Sequence, residues 1–269
     1  MNGRQFLANV RTNLVFYRRN RILVLFGLVT VLVLVISLVS FAFTASKKFD
    51  LLHNVISMVE GFCFVFAAIL GLLSVSHHVR NRSVKLVATK PFPLGGWVLS
   101  HLVSMLVVVV VVHLLILVVS FVMFAVWGMP FQWGLLVEMG SNILACTTIF
   151  AFLLLLSTIV HPVVAGLIAL IFSPSSVHGM LTMLEVPRRF AEGRVLGAFY
   201  DAVAWFLTGL YYLLPEYFPF AGDLQTVFNT YRVTRFDVPY LVLTVMYTPI
   251  VTALCLILTT AILCRKRLI

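Results

Sequence analysis

From Ile22 to Ser46 the chain runs 25 residues without a charge. At about 1.5 Å of rise per residue, such a helix reaches past a hydrocarbon core about 30 Å thick and spans it with some tilt. It is too long for the h-region of a cleavable signal peptide, which runs about 7–15 residues. Arg4, Arg11, Arg18, Arg19 and Arg21 precede it. The segment is therefore expected to be a first span and an uncleaved anchor. Similar apolar runs recur along the 269 residues, of which 62% are hydrophobic and 10% charged. The mean hydropathy is +1.10. Soluble domains carry about a quarter charged residues, and disordered chains are poorer still in apolar ones. Transmembrane β-strands would alternate over segments of about ten residues. All three classes are excluded, and the fold class expected is all-α, a polytopic membrane protein. One transmembrane domain over 1–269 leaves little room for a soluble catalytic domain.

A second span is expected at about Val55–Ser76, carrying Glu60. A third lies at about His101–Trp127 and contains the run Val107–Val112. A fourth lies at about Leu135–Val160, with Glu138 near its start. His161-Pro162 marks a break, because proline ends or kinks a helix. The apolar run from Val163 meets Ser173-Pro174-Ser175-Ser176, and 185–194 is polar. Val195–Leu214 is apolar with Asp201 as its one charge, 215–238 is mixed, and a last span covers about Pro239–Cys264. No repeat, low-complexity tail or interdomain linker is evident.

Orientation follows from cationic residues in short loops. The first 21 residues carry five Arg, segment 77–100 carries Arg80, Arg82, Lys85 and Lys90, and the C-terminus carries Arg265, Lys266 and Arg267. None of these three segments holds an acid, whereas 185–238 is nearly neutral, with five Arg against six acids. All three basic segments belong on the cytoplasmic side, so the number of spans is even. Five spans are plain, so one of the two middle runs crosses and the other does not. Either Val163 to about Leu184 crosses and 195–214 lies at the outer interface or re-enters, or the reverse holds. The second choice places Arg188, Arg189 and Arg194 inside.

The net charge of +10 is thus accounted for by orientation, and no nucleic-acid partner is expected. Phe6, Leu7, Val10, Leu14 and Tyr17 recur every three or four residues among Arg11, Arg18 and Arg19, the pattern of an interfacial amphipathic helix over 1–21. Cys63, Cys146, Cys255 and Cys264 form no CxxC pair and read as small packing residues. His77, His78, His101 and His161 share one side without an acidic companion, so no metal site is expected. Glu60, Glu138 and Asp201 are ionisable groups in or near spans, where such groups mark possible substrate paths. Against that, Glu60 and Glu138 lie near outer span ends, where a carboxylate reaches water cheaply. The aromatics between Phe190 and Phe236 suit an interfacial belt, or a lateral gate for a lipid-like substrate.

An Arg-rich amphipathic segment precedes span one, and a basic, proline-containing loop links spans two and three. Spans four and five are nearly continuous, and Tyr212-Leu213-Leu214-Pro215 precedes a last span with a basic tail. Val84-Lys85-Leu86-Val87-Ala88-Thr89-Lys90-Pro91, followed by Trp97-Val98-Leu99, is the most specific part. This layout resembles the permease subunits of type 2 ATP-binding-cassette exporters over nearly the whole chain. Where that family places acids and a Gly-Thr pair, this chain reads His77-His78-Val79-Arg80-Asn81-Arg82-Ser83. The resemblance implies six transmembrane helices, with span five at about 163–184 and an outer-side helical segment over 185–238. It makes 77–100 a cytoplasmic coupling loop, in which Arg80, Arg82, Lys85, Lys90 and Pro91 engage an ATPase. The plainer role of these charges is orientation and headgroup contact. The chain has no Gly-x-x-x-x-Gly-Lys-Ser/Thr, so ATP and Mg would belong to separate cytoplasmic ATPase subunits and this chain would hold no cofactor and be no enzyme. A second copy or a paralogous permease, and membrane lipids, are the other implied partners. The implied place is a plasma (bacterial inner) membrane with both termini cytoplasmic. The alternatives are a non-transporting scaffold or assembly factor, and a membrane-embedded enzyme of lipid metabolism. The cargo is left open.

Overall fold

A computed structural model describes residues 3–19, 21–43, 48–80, 93–127, 134–171, 174–189, 194–213 and 238–267. Every element among them is helical: α1 (Gly3–Arg19), α2 (Ile22–Phe43), α3 (Lys48–Arg80), α4 (Leu94–Trp127), α5 (Gly134–Ile159), α6 (Pro162–Ile171), α7 (Pro174–Arg189), α8 (Arg194–Leu213) and α9 (Val238–Arg267). Among the described residues, four stretches are long and apolar enough to cross a membrane: Ile56–Ser74, Leu94–Val126, Leu135–Ile159 and Met246–Arg265. The protein is therefore an all-α, multi-pass membrane protein. Even the valine run 107–112 is helical, although β-branched residues lower helix propensity in water. In lipid every backbone N–H and C=O needs a partner within the protein, and a helix provides all of them internally.

Helix α2 lies where the first span is expected and its 22 residues carry no charge, but it is not one of the four stretches, its described apolar run being Leu23–Leu32. Within the expected fifth span, 163–184, the described residues belong to α6 and α7, and 172–173 lie outside them. The ten residues of α6 extend only about 15 Å and the 16 of α7 about 24 Å, each short of the ~30 Å core. Pro174 opens α7: it has no N–H to give a preceding turn, so it starts a helix more readily than it continues one. The four described spans thus stand where six were expected.

Helix α5 packs against α3 on one side and α9 on another, and α4 packs against α1, α5 and α9. On α4 the buried apolar positions include Val98, Leu102, Met105, Val109, Val112 and Ile116. That alternation of four and three keeps one narrow seam facing its neighbours, as in other membrane bundles. The opposite side exposes Leu114, Leu115, Val118, Phe121 and Val122, as expected of a lipid-facing surface. Helices α3 and α5 come into close backbone contact at Gly71, where a β-carbon would lie 2.8 Å from the Phe150 carbonyl oxygen. There Ser157 Oγ donates to the Gly71 carbonyl at 3.4 Å. Phe26 of α2 stacks on Phe66 of α3, with ring centroids 4.2 Å apart. Helix α7 pairs with α8, whose apolar side chains Leu196, Phe199, Trp205 and Phe206 are exposed.

Candidate functional site

The first candidate region is one end of the bundle. Helix α1 lies along the opening turns of α4. Asn13 Nδ2 donates to Ser100 Oγ at 3.3 Å, and Ser104 Oγ donates to the Val10 carbonyl at 3.4 Å. Val10, Asn13 and Tyr17 are buried, while Leu7 is 70% exposed. The expected amphipathic stripe is thus rotated: Asn13 replaces Leu7 on the inner face, where Ser100 of α4 offers it a polar partner. Burial pushes the Tyr17 phenol up to about 12, opposed in part by the nearby Ser74 hydroxyl. Arg21 turns the chain from α1 into α2 with φ 57°, a left-handed conformation uncommon outside glycine. Its N–H donates to the Arg18 carbonyl at 3.1 Å, and its own carbonyl accepts from Leu25 N at 2.9 Å, which opens α2.

Gly95, at the start of α4, faces Thr260 of α9, with 3.7 Å between a β-carbon built there and the Thr260 methyl. The last turns of α9, the first turns of α4, the end of α3 near Ser74 and the helix α1 therefore share one end. Arg11, Arg18, Arg19 and Arg265 are exposed there. Arg80 closes α3. Arg82, Lys85, Lys90 and Pro91 lie outside the described residues, as do all of 81–92; the rest of the expected 77–100 loop is helical apart from Pro93, with 77–80 closing α3 and 94–100 opening α4. Trp97 meets His101 edge-on, with centroids 4.7 Å apart, just beneath α1.

The second region lies inside the bundle, where α3, α4 and α5 meet. Glu60 is 7% exposed and Glu138 is 6% exposed. Their carboxyl groups are close enough to interact electrostatically. Asn142, one turn after Glu138 on the same face of α5, donates from Nδ2 to the Glu60 carbonyl at 3.2 Å. Its Oδ1 accepts from Cys146 Sγ at 3.4 Å. From α4, His113 Nδ1 donates to the Val109 carbonyl at 2.8 Å, and the side chain lies beside the Asn142 amide. The opposite ring nitrogen, Nε2, is buried without a partner, as is Glu60 Oε1. Asp201 is not part of this region: it is exposed on α8. The carboxylates expected near water are therefore enclosed, and the contributions of Asn142 and His113 were not anticipated. A sequence signal existed in the four-residue spacing of Glu138 and Asn142, which sets both on one helical face. No group of three or more His, Cys, Asp or Glu among the described residues is arranged to hold a metal ion.

The aromatic segment expected at 190–236 is described only within α8. Trp205 is 82% exposed on it, and 214–237 lie outside the described residues. No family model, curated protein or solved structure matches the chain.

Proposed function

We propose that this chain is the permease subunit of a type 2 ATP-binding-cassette exporter. It has six spans with both termini cytoplasmic, dimerises with itself or a paralogous permease, and couples to separate ATPase subunits. The observation that carries this reading is the gathering of three acid-free basic segments at one end of the helices. The N-terminal helix, the first turns of α4 that follow the basic 81–92 segment, and the last turns of α9 before the basic tail meet there. A cationic end of this kind is retained on the cytoplasmic side. The polar seat of α1 on Ser100 and Ser104 ties the interfacial helix to the first turns of α4. Movement of the preceding loop would therefore reach both α4 and α1. With α6 and α7 together counted as an interrupted fifth crossing, α8 lies in the segment on the far side. ATP binding in the partner would close the ATPase dimer and press on 77–100. The spans would then open a path outward, and this chain would contribute the path and no chemistry.

Isolation of the tagged chain in mild detergent, with mass spectrometry of its partners, tests the proposal. A stoichiometric partner carrying a Walker A motif is expected. Reversing charge at Arg80, Arg82 and Lys85 is expected to abolish that association. A folded chain without any nucleotide-binding partner overturns the exporter reading and favours a scaffold or a lipid-metabolism enzyme. Association and transport that survive charge reversal remove the docking role assigned to the loop.

A further inference from the structure

Glu60 sits in a setting that does not suit a permanent anion. It is enclosed by apolar neighbours of α3, including Val59 and Cys63, and its Oε1 has no hydrogen-bond partner. No cationic side chain among the described residues pairs with it. The group nearest in electrostatic terms is a second carboxyl, Glu138. An isolated carboxylate in a medium of low dielectric is so costly that it takes a counter-charge or a proton, and a like charge alongside adds to that cost. Among the described residues, the groups that interact with Glu60 include no cation. On α3 itself the adjacent titratable side chain is Cys63; α5 presents Glu138 and Cys146, and α4 presents His113. Helices α2 and α6, which also pack on α3, carry no titratable residue. His113, with Nδ1 engaged by its own backbone, holds Nε2 as a second buried polar atom without a partner beside Asn142. A metal ion is not favoured by the arrangement of ligands among the described residues.

We propose that Glu60 is a proton-binding residue inside the helical bundle, taking a proton from water onto Oε1 while α3 and α5 are packed together and returning it to water when they part. The step forms and breaks a single O–H bond and needs no other reactant. Because α3 and α5 enclose the carboxyl, separation of these helices is what admits water, so proton occupancy and bundle conformation are linked. Asn142 couples the two helices at the same level through the Glu60 carbonyl. The proposal goes beyond the exporter reading and stands or falls without it, since it concerns the isolated chain and requires no ATPase.

Infrared spectroscopy of the purified full-length chain in nanodiscs tests it. The chain has nine carboxylic side chains, and exposed ones are ionised at neutral pH. A carbonyl band of a protonated acid is expected at neutral pH, lost in Glu60→Gln and unchanged in the exposed-site control Asp201→Asn. Raising pH should remove the band and lower the stability of the wild-type chain together, while Glu60→Gln loses this joint dependence. Absence of the band, or its survival in Glu60→Gln, overturns the proposal. So does suppression of the band by sodium at constant pH, which would assign the site to a metal cation. Glutamine reproduces the shape and neutrality of protonated glutamate. A Glu60→Gln chain that cannot fold therefore also overturns the proposal, because it would mean that the negative charge is required.

Discussion

Substituting Gly71 by alanine probes a close backbone contact between α3 and α5. The added β-carbon would meet the Phe150 carbonyl oxygen at 2.8 Å, Leu153 Cβ at 3.1 Å and Phe150 Cα at 3.2 Å. Two of these are backbone atoms and the third is fixed to the backbone, so no side-chain rotation relieves the clash. Helices α3 and α5 must move apart, which also lengthens the 3.4 Å bond from Ser157 to the Gly71 carbonyl. Overpacking of this kind costs about 1–3 kcal/mol. Alanine is intrinsically a better helix former than glycine by about 1 kcal/mol, which partly offsets the loss. Gly61→Ala on the same helix isolates the packing contribution, because a β-carbon at Gly61 meets nothing within 4 Å. Gly71→Ala should therefore be less stable than Gly61→Ala by about 1–3 kcal/mol, the propensity gain cancelling between them. Reversible unfolding in mixed micelles, followed by circular dichroism, measures both. Equal stability of the two variants would refute the close approach of α3 and α5 and the packing derived from it.

The burial of Tyr17 has an alkaline signature. Its phenol ionises at about 12 when α1 is docked, against an ordinary value near 10. Its contribution to docking is thus complete below pH ~10 and is lost as the pH rises through ~12. Ultraviolet titration should show one tyrosine ionising after the rest, absent in Tyr17→Phe; identical curves would count against the seat of α1. At Arg21 the left-handed φ of 57° favours glycine, and Arg21→Gly is expected to raise stability by roughly 1 kcal/mol in a thermal melt. A loss of stability would show that the cation outweighs the strain. Asn13→Leu should loosen α1, since it leaves Ser100 Oγ without that donor. Faster proteolysis within the first 21 residues would report the release, and unchanged cleavage would argue against it. Cys63, Cys146 and Cys255 are buried and Cys264 is exposed, so a maleimide should label the folded chain at Cys264 alone; rapid labelling of Cys63 or Cys146 would contradict the packing of α3 on α5.

Membrane class, helical fold and the positions of the long spans were legible along the chain because hydropathy is a local, additive property. Insertion into lipid depends on about twenty consecutive residues and not on their neighbours in space. The runs near Val55, His101, Leu135 and Pro239 therefore appear as helices, although α3 and α4 extend beyond their apolar cores. The segment 163–184 was harder. Its apolar length suggested a crossing, while its described residues belong to two helices, α6 and α7, each too short to cross alone. Apolarity says nothing of which side of a span faces a partner, because lipid is as apolar as the core and every face of such a helix is hydrophobic. The rotation of α1 that buries Asn13 and exposes Leu7 depends on Ser100 of α4, 87 residues away. The contact at Gly71 depends on the backbone of Phe150, and the enclosure of Glu60 on side chains from two other helices. The sequence alone determined a charged, multi-pass helical chain. Only the tertiary structure decided which of its few polar side chains are removed from water together, since that is a property of lateral packing between segments distant along the chain.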